Sequence, residues 1–425
     1  MNQLDKNNSE LANKISPVKC VVVIVDGLGD LPVPELNDKT PLEAANTPLL
    51  DQLAGAGRYG LVDPIKPGEV PNTHTGTGLL MGLLPEQAIH LKRGPVEAAG
   101  AGQVLAAGDI AMRVNFATLE SREGELLVID RRAGRITSST AELAALLKNI
   151  DLGDGIRGSL LSTDQHRGVL VLSGPGLDST VSNTDPGNCS LPVALRMCTA
   201  LKPEAELTAE KINRFIDEAH RRLVDHPINL ARINAGQLPA NGVITRGAGQ
   251  QLHLDNVLRD SGVNTAVVSG CNTVLGVARI FGFNTITDPR FTASVNTDLD
   301  GKMEAVASAL LDHDLVYVHL KAPDNCSHDL KPLAKRDFIQ RLDQSMLPLQ
   351  KNGLVMAVAA DHSTNSNTGF HTADPIPALI CQMGSTQAFN AIKFGESACE
   401  QGSMERQSGH EFLLNVLHTA AHQVG

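Results

Sequence analysis

At 425 residues and 42% hydrophobic content, the chain has material for a sizeable core and for two or three domains. A formal charge of −11, with 3% aromatics and no Trp, excludes two functions: binding nucleic acid through broad basic charge and base stacking, and general attraction to anionic membranes. An anionic ligand therefore needs a local cluster of arginines.

Residues 1–17 are polar and lack the apolar stretch of a signal peptide, so they read as a loose tail or short helix. No run approaches the roughly 18 apolar residues of a membrane-spanning helix. Seven scattered cysteines form no CxxC pair and leave an odd count, which suits reduced thiols in a cytoplasm. The first predicted buried strand, 21–25, ends on Asp26. A helix is predicted over 42–54 behind Thr40-Pro41, and then comes the segment Pro71-Asn72-Thr73-His74-Thr75. Residues 92–240 mix alternating stretches (111–117, 168–172), glycine-rich joints and helical runs (141–147, 209–224). Strands are predicted again at 265–269, 315–320 and 355–359, with a helix at 302–311 behind Asp298. The strand over 315–320 delivers Lys321 and Asp324, and the one over 355–359 delivers Asp361. No internal repeat and no low-complexity segment stands out.

Polar residues at the carboxyl ends of buried strands are what an open α/β sheet produces. Asp324 and His328, four apart, fit one face of a helix or a tight loop. Asp361 and His362 are adjacent and can both reach a cation where a strand turns into a loop, with His371 returning to it. Carboxylates and imidazoles are good ligands for Zn²⁺ or Mn²⁺, and two such ions can clamp an in-line phosphoryl displacement. With Asp26 and Thr73 from the start of the chain, these residues suggest a two-metal phosphoryl-transfer site. For Asp26 and Thr73 to meet Asp324 and Asp361, both ends of the chain must share one sheet. The expected organisation is thus a discontinuous metal-binding domain over 18–91 and 241–425, with an α+β domain inserted over 92–240.

Several segments carry a resemblance to a known family. They are Val25-Asp-Gly-Leu-Gly-Asp30, 39–48, Arg93-Gly-Pro-Val-Glu-Ala-Ala-Gly-Ala-Gly102, Arg113-Val-Asn-Phe-Ala-Thr118, Asp130-Arg-Arg-Ala-Gly-Arg135, 166–171, Asn183-Thr-Asp-Pro186, Arg246-Gly-Ala-Gly249 and Asp361-His-Ser-Thr364. Together they resemble the archaeal-type, cofactor-independent phosphoglycerate mutases of the alkaline phosphatase superfamily. The resemblance spans nearly the whole chain after the tail. It implies an alkaline-phosphatase-like core sheet with helices on both faces. It also implies one divalent ion (Mn²⁺ or Zn²⁺) on Asp324, His328 and His371, and a second on Asp26, Thr73, Asp361 and His362. Thr73 stands where the family has its serine nucleophile, and no 2,3-bisphosphoglycerate is required. The chain departs from the family pattern at His74, Thr77, Leu275 and Asn325, all near the expected phosphate.

Arg93, Arg113, Arg131, Arg132, Arg135, Arg167 and Arg246 fall in the matched segments. The planar guanidinium fork suits a small substrate carrying carboxylate and phosphate. Asp130 and Asp185 are candidates for moving a proton between two hydroxyls. The expected activity is interconversion of 3-phosphoglycerate and 2-phosphoglycerate through phospho-Thr73. Two rivals are a phosphate or phosphonate ester hydrolase or phosphotransferase on a related hydroxy acid, and a non-catalytic binding relative.

Overall fold

The computed structural model describes residues 19–187, 189–250, 254–384 and 392–421; the expected tail over 1–17 lies outside them. The chain forms two compact units, one comprising Met1–Ile89 with Leu254–Gly425, the other His90–His253.

The first unit is built on an eight-stranded sheet. Cys20–Val25 is apolar and buried at every position, as a strand covered on both faces must be. It lies between Leu315–Leu320 and Val355–Ala359, parallel to both, with Cys20 level with Leu315 and Val355. Thr265–Val268 and Asn284–Ile286 extend the parallel sheet on one side. On the other side Ile376–Gln382 runs antiparallel, followed by Arg58–Asp63 and Gln407–Ser408. The four strands expected in this unit thus form within a residue of their predicted bounds. Their carboxyl ends meet on both sides of the central strand, where an open α/β sheet places its ligands.

The single helix expected over 42–54 is instead two, Pro41–Ala44 and Pro48–Ala56. Pro48 has no N–H to donate and drives Thr47 out of helical geometry, so the first helix stops and a second begins. Thr40 caps the first helix: its hydroxyl accepts from Glu43 N at 3.1 Å while its own N–H donates to Glu43 Oε2 at 3.2 Å. The second helix is capped from afar, Asp343 accepting from the N–H groups of Leu49 (3.1 Å) and Leu50 (2.8 Å).

Glu396 joins this network, with Thr40 Oγ1 2.6 Å from its Oε2 and Asp30 N donating to Oε1 at 3.1 Å. Burial pushes its carboxyl up to about 7 despite the hydrogen bond from Thr40. The folded state then holds a proton that the unfolded chain has released between the ordinary carboxyl range and about pH 7. Stability must fall as pH rises through that window. Glu396→Gln, which mimics the protonated form, is expected to flatten that part of the melting-temperature profile between pH 5 and 8. Parallel profiles for the two proteins would refute it.

The second unit carries an all-antiparallel sheet organised on the 13-residue strand Ile110–Arg122. Its residues alternate between two faces. Ile110, Met112, Val114 and Phe116 pack with Ile212, Phe215, Ile216 and Ala219 of the Glu206–Leu223 helix. Ala111, on the other face, packs with Ala98 of the Arg93–Gly100 helix and with Val169 and Val171. That second face also carries Arg113 and Asn115. Gly242–Gln250 lies past the expected boundary at 240, yet it pairs with the long strand along Ile110–Ala117, so this unit runs to His253.

Candidate metal and phosphoryl-transfer site

In the first unit, three strand ends deliver three buried carboxylates. Asp26 follows Cys20–Val25, and Asp361 lies just past Val355–Ala359. Asp324 sits in the short helix Ala322–His328 that follows Leu315–Leu320, which puts His328 one turn further along the same face. Asp26, Asp324 and Asp361 are at most 1% exposed. His371 enters on the hairpin formed by Ser363–Asn365 and Phe370–Thr372. A buried ion pair supports the hairpin's first strand. Lys335 Nζ lies 2.7 Å from Asp30 Oδ2, while Asp30 Oδ1 accepts from Ser366 N at 2.9 Å.

Thr73 opens the helix Thr73–Leu80, capped at Asn72, whose N–H donates to Thr75 Oγ1 at 3.1 Å. Its hydroxyl is 3.4 Å from His362 Nε2 and 3.1 Å from Lys321 Nζ. Two glycines permit this convergence. Gly27 has φ +67, and a side chain there would press on Thr364 and Asp324; a Cβ on Gly76 would collide with the Asp361 carbonyl.

The structure also brings in residues that sequence reasoning left without a role. Lys321 Nζ lies 2.9 Å from Asp26 Oδ1 and 2.6 Å from Asp324 Oδ2. His319 Nε2 is 2.8 Å from Asp26 Oδ2, and Thr364 Oγ1 donates to Asp324 Oδ1 at 2.8 Å. A His in an apolar strand, two residues before a Lys, was the available signal: His319 within Leu315–Leu320 and Lys321 just past its end both reach Asp26.

The donor set fits divalent cations. Among the described residues, two groups place their ligand atoms within 4.8 Å of one another: Asp324 with His362 and His371, and Asp26 with Asp361 and His362. The resemblance implied a different partition, with His328 in the first set. His328 Nε2 lies 3.3 Å from the same Asp324 Oδ1 that His371 Nε2 approaches at 3.4 Å, and the rings of His362, His371 and His328 stack in a row.

The ring nitrogens are oriented alike. His328 Nδ1 faces the Gly369 carbonyl at 2.6 Å, His371 Nδ1 the Pro71 carbonyl at 3.0 Å, and His362 Nδ1 the Thr364 hydroxyl at 3.0 Å. With Nδ1 donating, each Nε2 turns a lone pair toward carboxylate oxygens 3.3–3.4 Å away, an arrangement a cation resolves.

The charges agree. Burial would raise Asp26, but Lys321 and a hydrogen bond from His319 hold it well below the usual range. Burial and repulsion from Asp26 and Asp324 push Asp361 well above that range, and its Oδ2 has no hydrogen-bond donor among the described residues. Three carboxylates share one ammonium here, so the site needs further positive charge to keep all three ionised.

In the second unit the seven arginines predicted to bind substrate come together. Arg113 sits directly across from Arg246 on the neighbouring strand, and Asn115 across from Arg167. Arg113 also feels the charges of Arg93 and Arg167, and Arg132 those of Arg135, Arg131 and Arg167. Glu97 partly offsets this charge, 2.7 Å from Arg93 and 3.8 Å from Arg113. Asp185 grips Arg131 with both oxygens, at 2.7 and 2.9 Å. That grip, with the Gly187 N–H, outweighs burial and lowers its carboxyl, which suits an anchor for Arg131. Asp130 Oδ1 accepts from the N–H groups of Arg132 and Gly134 and ties down that turn.

Like charges directly opposite on adjacent strands destabilise a sheet. Arg113→Met is therefore expected to raise the melting temperature of the ligand-free protein by about 2–4 °C while weakening phosphate binding. A calorimetric scan with and without phosphate checks both. An unchanged or lower melting temperature would show the arginine pair to be already compensated.

Comparisons with known proteins agree on one family. The family model described as 2,3-bisphosphoglycerate-independent phosphoglycerate mutase matches residues 54–229. A protein of that name from Methanopyrus kandleri is 39% identical over 96% of this chain and 97% of its own length. The one from Ignicoccus hospitalis is 39% identical over 94% of this chain and 96% of its own. Among solved structures, a protein from Pyrococcus horikoshii is similar with a TM-score of 0.78 and 31% identity, covering 95% of this chain and 98% of that one. A cofactor-independent phosphoglycerate mutase from Thermoplasma acidophilum gives a TM-score of 0.66 and 30% identity, over 95% and 100%. Among the described residues no helix is long and apolar enough to cross a membrane.

Proposed function

The chain belongs to the 2,3-bisphosphoglycerate-independent phosphoglycerate mutase family, and we propose that it interconverts 3-phosphoglycerate and 2-phosphoglycerate through a phospho-Thr73 intermediate. The observation that carries this mechanism is that Lys321 and His362, which are themselves held by Asp26, Asp324 and Asp361, converge on one buried threonine hydroxyl.

In this reading the Thr73 oxygen attacks the phosphorus of bound phosphoglycerate, and the bond from phosphorus to the substrate oxygen breaks. The other hydroxyl of the glycerate then attacks phospho-Thr73 and restores the threonine. Two divalent cations, Mn²⁺ or Zn²⁺, would be held by Asp26, Thr73, Asp361 and His362 and by Asp324, His328 and His371. When bound they supply Lewis-acid stabilisation of the charge on the transferring group. Lys321 holds the Thr73 hydroxyl in place and offers a fixed ammonium to the phosphate. His319 and Thr364 orient Asp26 and Asp324. The arginine cluster is assigned to the substrate's anionic groups. Asp130 and Asp185 serve as anchors in this scheme: the proton that Thr73 gives up ends on the departing substrate oxygen, and the proton of the attacking glycerate hydroxyl returns to the Thr73 oxygen.

The test follows ³¹P signals after 3-phosphoglycerate is added to the Mn²⁺-loaded protein. Appearance of 2-phosphoglycerate without free phosphate is expected. Free phosphate as the sole product would replace the mutase reading with a hydrolase. Removing metal with a chelator should abolish turnover and lower the melting temperature, since a ligand held only by the folded state stabilises it. Full activity after verified metal removal would end the two-cation mechanism.

A further inference from the structure

Among the described residues of the second unit, four side-chain polar atoms are buried without a hydrogen-bond partner: Arg113 Nε, Arg167 Nε, Asn115 Oδ1 and His166 Nδ1. Such atoms are rare in folded proteins, because each carries its full desolvation cost. Here they are neighbours. Asn115 lies across from Arg167 on the adjacent strand, Arg113 is two residues back on the same face, and His166 immediately precedes Arg167. The Phe116 N–H donates to the His166 carbonyl at 2.8 Å, locking His166 beside Asn115. Arg113, Asn115 and His166 are each 5–6% exposed.

The four atoms differ in kind. The two guanidinium nitrogens can only donate, as a carboxylate or phosphate requires. Asn115 Oδ1 accepts, and so does His166 Nδ1 in the tautomer that carries its proton on Nε2. A carboxylate or a fully deprotonated phosphate satisfies neither of these two, since it has no proton to donate. A hydroxyl does.

We infer that Asn115 and His166 form a subsite that reads the free hydroxyl of the substrate, next to arginines that hold its anionic group. The ligand class is a phosphorylated hydroxy acid with a hydroxyl beside the carboxylate. This deepens the phosphoglycerate reading and rests on it. The imidazole is suited to the role: burial, and then Arg167, Arg132, Arg113 and Arg135, push its pKa down to about 3, so a lone pair is available at any working pH. Neither residue is assigned as a nucleophile or metal ligand; their contribution is to hold the hydroxyl and to choose between ligands that have it and ligands that lack it.

The test compares two ligands that differ by one hydroxyl, 3-phosphoglycerate and 3-phosphonooxypropionate, by calorimetric titration. Full-length Thr73→Ala protein is used so that no turnover intervenes. This protein is expected to bind the hydroxylated ligand at least about tenfold more tightly, because a site built for a hydroxyl leaves its acceptors unpaired with the analogue. Adding Asn115→Leu or His166→Phe should bring the ratio below about twofold while the analogue's affinity stays within about threefold. Asn115→Ser and His166→Asn carry the test if the larger changes lower the melting temperature severely. A ratio that survives in the variants, or that is absent from the parent, overturns the subsite, as does failure of both ligands to bind. The mutase reading stands or falls separately, on whether wild-type protein makes 2-phosphoglycerate.

Discussion

Thr73→Ala is expected to lower the mutase rate by at least about 10³-fold, because it removes the atom on which the phosphoryl group is carried. Metal sites and arginines alone can bind substrate and polarise it, but they cannot hold the phosphoryl group while the glycerate changes the hydroxyl it presents. Thr73→Ser keeps the oxygen and should retain activity within about tenfold. The substitution is structurally mild. Thr73 lies at the first position of its helix, and its hydroxyl contacts are His362 and Lys321, so its loss costs about 1 kcal/mol of folding stability. Acid-quenched wild-type protein mixed with substrate should carry a phosphothreonine detectable by mass spectrometry, and the alanine variant none. If Thr73→Ala keeps more than about a tenth of wild-type turnover, the covalent route is wrong and a direct transfer must replace it.

Lys321→Met should act in two opposite directions. Among the described residues, Lys321 is the only lysine or arginine that ion-pairs with Asp26 and Asp324. Its removal leaves the metal-free site with an uncompensated buried charge, a loss of about 3–5 kcal/mol. The same ammonium competes with any cation for those carboxylates. The variant should therefore bind Mn²⁺ at least about tenfold more tightly, an effect that follows from removing one like charge at short range. Transfer should nevertheless slow by about 10²–10³-fold, because the fixed ammonium beside the reacting oxygen is gone. Metal titration and single-turnover rates separate the two effects. Weaker metal binding together with unchanged transfer would make Lys321 a scaffold that merely arranges the ligands.

Much of the metal site was legible in the sequence because parallel strands are apolar throughout and end abruptly. An Asp or Lys at such an end therefore stands out, as Asp26, Lys321 and Asp361 do. What could not be read depends on contacts between distant parts of the chain. The register that sets Arg113 opposite Arg246 joins residues more than a hundred positions apart, as does the pairing that carries the second unit to His253. The run over 42–54 looks helical on periodicity, and only the placement of Pro48 divides it. His319 was hidden differently. Its neighbours label it as core, and its partner, Asp26, belongs to another strand.

The arginine register described above also ties this protein's persistence to its supply of ligand. A sheet that holds two guanidinium groups face to face is least at ease when nothing lies between them. When small anions are scarce, that unit should open more often and be cut sooner by proteases; when they are plentiful it should be spared. Tryptic digestion with and without phosphate would show the difference as a change in half-life. Phosphate buffers would likewise mask fragile variants that a cell short of ligand would quickly clear.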